Sequence, residues 1–157
     1  MNILVLCAGN SVRSILLEAI LNDRGGGRVQ AWSAGSHPTG SIHPHALKLL
    51  EEMDHDTSRL RSKSWDEFTG PDAPEIDMVI TVCARVAGGA CPIWPGHPVR
   101  AHWGLEDPAA LPEDLWESGF RAAYDILDRR AGALLKHAIE TLDPSELKAV
   151  LDRIGKK

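Results

Sequence analysis

Hydrophobic positions in this chain come as short solid runs separated by stretches of helical spacing. Residues 2–6 form an apolar run ending at Cys7, and they predict a buried strand. Ser14, Ile15, Leu16, Leu17, Ala19, Ile20 and Leu21 follow with helical spacing, and Gly25-Gly26-Gly27 stops that helix. Residues 29–33 read as a second strand. Residues 45–53 carry Ala46, Leu47, Leu49, Leu50 and Met53 as a helical stripe. Residues 77–82 predict a third strand ending at Cys83, and residues 99–103 a fourth. From about 113 to 141 the pattern predicts one long helix, with Ala122, Ala123, Ile126, Leu127, Leu134 and Leu135 on its apolar face. Asp143-Pro144-Ser145-Glu146 predicts the start of a last helix. Asp caps it, Pro fits the first turn, and Glu falls three residues past the cap.

Strands alternating with helices imply an α/β fold of three layers: a four-stranded parallel sheet with helices on both faces. No linker or repeat divides the chain, so residues 1–157 are expected to form a single domain. Open parallel sheets bind ligands at the carboxyl ends of their strands, near a topological switch point. Three chemically capable residues follow predicted strands there: Cys7, Cys83 and Asp107.

Composition narrows the possibilities. Hydrophobic residues make up 43% and charged residues 25%, an ordinary globular balance. The longest apolar run is far short of the roughly 20 residues needed to span a bilayer. The first residues lack a signal peptide's basic stretch and cleavage site. The net charge of −5 argues against a general nucleic-acid binder. The expectation is therefore a cytoplasmic protein with no membrane or nucleic-acid partner. Three cysteines in such a chain read as thiols, not as a disulfide framework.

The segment Cys7-Ala8-Gly9-Asn10-Ser11-Val12-Arg13-Ser14 lies between a strand and a helix start. Such a loop can wrap a tetrahedral oxyanion with its backbone N–H groups, the helix N-terminus and the Arg13 guanidinium. The same positive field favours the Cys7 thiolate. Ser14 could donate to that sulfur, and Asn10 could adopt a left-handed conformation that braces the loop.

This segment resembles the signature loop of the low-molecular-weight protein tyrosine phosphatase superfamily, which includes a branch of arsenate reductases. WSAGSHPTG and HPHALKLL resemble the family's second strand and second helix. DMVITVC, ACPIWPG and HWGLEDPA resemble the reductase stretch carrying two further redox cysteines and the acid. The resemblance spans about residues 2–140.

That resemblance implies the reduction of arsenate to arsenite, in service of arsenic detoxification. Cys7 is implied as nucleophile, with Ala8, Gly9, Asn10, Ser11, Val12, Arg13 and Ser14 holding the oxyanion and Asp107 as general acid; Glu106 is the rival acid. Cys83 would form a disulfide with Cys7, and Cys91 would then form one with Cys83. If the strands ending at Cys7 and Cys83 are neighbours, the two cysteines come within disulfide reach. No metal or bound cofactor is implied, and the seven residues between Cys83 and Cys91 do not match a zinc spacing. An external thiol system, thioredoxin or glutathione with glutaredoxin, would recycle the enzyme. The alternative is a phosphatase acting on phosphotyrosine or a small phosphoester. Lys63 appears where some relatives place an acidic ligand of a potassium ion beside Asn10, Glu18 and Ser33. Trp94 is expected near the mouth of the site, Trp103 in the core, and His37, His43 and His45 on the surface.

Overall fold

The computed structural model describes residues 1–84, 94 and 96–156. Cys91 and Gly88-Gly89 lie outside the described residues. The strands are β1 (Asn2–Cys7), β2 (Gln30–Gly35), β3 (Met78–Thr81) and β4 (Val99–His102). The helices are α1 (Arg13–Gly25), α2 (Pro44–Glu52), α3 (Trp116–Leu135) and α4 (Pro144–Gly155).

All strand pairs are parallel, in the order β2-β1-β3-β4. Ile3, Leu4, Val5 and Leu6 are all fully buried, so both faces of β1 are covered. That explains why β1 is a solid apolar run rather than an alternating one. α1 packs on β2 and α3, and α4 on β4 and α3. Each fully buried Leu or Ile in these contacts contributes roughly 1.5–3 kcal/mol.

The chain passes from β1 to β2 on one side, then returns to place β3 on β1's other side. The switch point therefore falls between β1 and β3. The register pairs Leu6 with Thr81, and Val82 N–H donates to the Leu6 carbonyl at 2.9 Å. Cys7 and Cys83 consequently emerge side by side at the carboxyl ends of the two central strands.

The long helix predicted over 113–141 is interrupted. A 3-10 turn, Glu113–Leu115, precedes α3, and another, Ile139–Thr141, follows it. Ala138 leaves helical geometry at φ −80° and ψ 68°. The apolar stripe alone did not mark this break. The last helix starts as its sequence predicts. Glu146 N–H donates to the Asp143 carboxylate at 2.8 Å, and Asp143 N–H donates to the Glu146 carboxylate at 3.1 Å.

Trp94 is buried, with its ring against Trp65, rather than lining the mouth of the site. His43 is not a plain surface residue either. Its Nδ1 accepts from His45 N–H at 3.1 Å at the start of α2, and its ring meets Trp116 edge-on at 4.8 Å. No described helix is long and apolar enough to cross a membrane.

Candidate active site

A cavity of about 770 Å³ opens at the carboxyl ends of β1 and β3. It is lined by Cys7 and the whole loop through Arg13, by Cys83 and by Asp107. The sequence-predicted groups outside the undescribed segment thus face one space, except Ser14, which is fully buried behind the loop and does not line it. Glu106, the rival acid, lines it too.

The loop is built by distant segments. His37 N–H donates to the Ala8 carbonyl at 2.9 Å, Thr39 N–H to the Gly9 carbonyl at 3.0 Å, and His43 N–H to the Ser11 carbonyl at 3.1 Å. These bonds turn the carbonyls outward. At Gly35, a Cβ would lie 2.4 Å from the Ala8 carbonyl oxygen, so only glycine permits the approach of β2. α1 starts at Val12 with no side-chain cap and no acidic residue in its first turn. Its positive end is therefore left for an anion.

Asn10 takes the left-handed conformation its position predicts, with φ 47°. It is fully buried and donates from Nδ2 to Ser14 Oγ at 2.8 Å and to Ser33 Oγ at 2.9 Å. Its Oδ1 accepts from Lys63 N–H at 2.9 Å. Ser14 is thus bonded to Asn10, and no hydrogen bond among the described residues joins it to Cys7.

Ser33 Oγ in turn donates to Glu18 at 2.6 Å, and the Lys63 ammonium lies 3.9 Å from the same carboxylate oxygen. Lys63 and Glu18 are only 6% and 5% exposed. Burial pushes the Lys63 pKa down and the Glu18 pKa up, while each opposes the shift of the other. Lys63 also donates to the Arg61 carbonyl at 3.1 Å. It is a buried brace, not a solvated surface lysine.

The two sulfurs meet at the loop's first peptide. Ala8 N–H donates to Cys83 Sγ at 3.2 Å. Cys7 is 5% exposed and Cys83 3%. The Cys7 pKa is raised on balance, against the expectation of a favoured thiolate: the hydrogen bond to Cys83, and then burial, push it up and outweigh Arg13 and the Ala8 N–H, which push it down. Two such close thiols ionise one at a time rather than together.

Arg13 Nη1 donates to the Leu105 carbonyl at 2.9 Å, and Nη2 lies 3.8 Å from Asp107. This ties the anion loop to the segment bearing the acid. Asp107 accepts from Ala109 N–H at 3.0 Å, starting the short turn Pro108–Ala110, while its other oxygen faces Arg13. Asp107 thus caps this short turn with one oxygen and leaves the other towards Arg13 and the cavity.

Sequence reasoning missed Thr39, His102 and the Leu105 carbonyl, all of them at this cavity. His102 shares a 2.8 Å hydrogen bond with Thr81, and its ring lies so close to Gly104 that a Cβ there would clash at 2.5 Å. No spacing in the sequence signals these contacts, because strand pairing and a loop's return create them.

Strand-end thiols, an anion loop opening a helix and a facing carboxyl group define a phosphatase-like oxyanion site on a doubly wound sheet. Residues 2–148 match the low molecular weight phosphotyrosine protein phosphatase family, to which the chain belongs. An arsenate reductase of Bacillus subtilis is 36% identical over 127 residues, covering 79% of this chain and 88% of that one. One from Halalkalibacterium halodurans is 34% identical over 128 residues, covering 80% and 88%. Among solved structures, a thioredoxin-dependent arsenate reductase of Corynebacterium glutamicum superposes with a TM-score of 0.62 at 28% identity, covering 86% of this chain and 60% of that one.

Proposed function

We propose that this protein reduces arsenate to arsenite through its cysteines. The observation that carries the reading is the Cys83 sulfur held by the Ala8 N–H of the loop, beside Cys7. A phosphatase needs the loop and the acid but has no use for a second thiol there.

Arsenate has the shape of phosphate and fits the loop's inward N–H groups and Arg13. The Cys7 thiolate attacks arsenic, and an As–O bond breaks. Asp107 protonates the departing oxygen, which leaves as water. Cys7 is then bonded to arsenic and no longer competes with Cys83 for a single negative charge. The Cys83 thiolate attacks Cys7 Sγ, the S–As bond breaks, and its electron pair stays on arsenic. As(V) becomes As(III), arsenite leaves, and a Cys7–Cys83 disulfide remains. Adjacent parallel strands lie about 4.8 Å apart, inside the roughly 4.4–6.8 Å Cα separation of disulfides. Cys91 then attacks Cys83, frees Cys7 and leaves Cys83–Cys91. A dithiol reductant of the thioredoxin kind returns two electrons and two protons to that bond; glutathione with glutaredoxin is the other candidate. The whole chain, 1–157, acts as one unit, and no metal or bound cofactor enters the scheme.

The test is one turnover with arsenate followed by mass mapping of the thiols. One arsenite per protein, with Cys83 disulfide-bonded, is expected. Hydrolysis of an aryl phosphate with no thiol-dependent arsenite formation would overturn the reading in favour of a phosphatase.

A further inference from the structure

A second cavity, about 300 Å³ in volume, lies along α3, the segment after it and the end of α4. It shares no lining residue with the catalytic cavity. Its charged lining is entirely cationic: Arg129, Arg130 and Arg153, joined by His137, with no carboxylate. This occurs in a chain of net charge −5.

Arg130 is the unusual member. It is only 9% exposed, and its Nη1 donates to the Trp103 carbonyl at 2.9 Å and the Gly104 carbonyl at 3.2 Å. Its buried Nε has no partner. None of the three arginines forms an ion pair among the described residues, whereas Arg13, Arg24, Arg28, Arg61 and Arg121 all do. Burial and the neighbouring Arg129 push the Arg130 pKa down, with no acid opposing them. A buried charge without a counter-charge is costly. Here carbonyls hold Nη1 and fix the guanidinium at the cavity wall, and a guanidinium so placed is suited to a carboxylate or phosphate. Ile126 and Ile154 supply apolar wall. The volume sits at the small end of ligand pockets, enough for a single ring.

We propose that this cavity is a second anion site, which binds a small organic oxyanion: a phosphate or carboxylate head against Arg129, Arg130 and Arg153, with a compact apolar body on Ile126 and Ile154.

The test is a backbone-amide NMR titration of the full chain with phenylphosphonate, benzoate and inorganic phosphate. Phenylphosphonate or benzoate should shift amides in 126–137 and 153–154 as one saturable set, and the tighter of the two identifies the head group. Inorganic phosphate should shift that set at least tenfold more weakly than the tighter ring ligand, while still moving loop residues 8–14. The double variant Arg129→Glu/Arg153→Glu, whose side chains lie at the surface, should weaken the ring ligand at this set at least tenfold and leave the phosphate shifts at 8–14 unchanged. Arg130→Met should do the same if it folds, judged by those loop shifts; if it does not fold, the double variant decides. Absence of shifts in 126–137, equal binding of inorganic phosphate there, or indifference to the double charge reversal would overturn the proposal.

Discussion

The carboxyl ends of β1 and β3 each present a cysteine to the same cavity, yet they are built differently. The β1 end runs into a loop whose carbonyls are held by the segment beyond β2, and whose Asn10 is anchored by Ser14, Ser33 and Lys63. The β3 end is a plain continuation of the strand: Val82 keeps the ladder bond to Leu6, and Cys83 follows. An oxyanion must be met by several donors already in place, which takes many supporting contacts. A sulfur that attacks another sulfur needs only to arrive beside it, and strand register supplies that. On the proposed function, one end serves binding and the other redox reach.

The largest test of this contrast separates two activities. Cys7→Ser should abolish both arsenite formation and any aryl phosphate hydrolysis, because a serine hydroxyl is neither ionised near neutral pH nor a reductant. Cys83→Ser should abolish arsenite formation alone. Parallel assays of both activities check this, and equal loss of both in Cys83→Ser would end the division between the strand ends.

Asp107→Asn belongs to the binding end. The amide keeps its shape but has no proton to give, so the rate should fall by roughly 10²–10⁴-fold. The affinity of phosphate, read by competition, should change little. Near-normal turnover would transfer the role to Glu106.

Lys63→Met probes the brace beneath the loop. Removing one partner of a buried ion pair costs about 3–5 kcal/mol. The lost ammonium lets the Glu18 pKa rise further above its unfolded value. A raised carboxyl pKa contributes stability below the unfolded pKa and loses it as pH rises through the folded one. The deficit against the unaltered protein should therefore be smallest in acid and grow towards neutrality. Denaturant unfolding across pH measures this, and a deficit independent of pH would remove Glu18 from the account. If the ammonium does the work of a bound ion, the unaltered protein should respond little to exchanging potassium for sodium, and Lys63→Asp should acquire a response.

The smallest effect concerns the sulfurs themselves. Cys83 is the largest influence raising the Cys7 pKa. Cys83→Ala should therefore shift the pH profile of Cys7 alkylation to lower pH. An unchanged or higher midpoint would mean the two thiols do not share a charge.

Much of this site was legible before folding. The Cys7–Arg13 loop, the left-handed Asn10 and the Asp143–Glu146 cap are local, because each depends on residues a few positions apart, whose geometry the backbone dictates. The central strands β1 and β3 were legible from their short, nearly solid apolar runs, and the more polar edge strands β2 and β4 from their place in the alternation with helices. The break of the long helix at Ala138 was not, because the apolar face continues across it while the chain turns for α4 to reach β4. Nor could spacing show that Ser14 is taken up by Asn10, that His43 is wedged against Trp116, or that Trp94 lies buried. The pairing of Cys7 with Cys83 across 75 intervening positions rests on β1 and β3 being neighbours. The grouping of Arg129, Arg130 and Arg153 around one cavity rests on α4 folding back along α3. The sequence determined which residues carry chemistry, through local backbone preference and apolar period. Only the tertiary structure decided which of them meet, because contacts between distant segments are selected by the burial of whole faces.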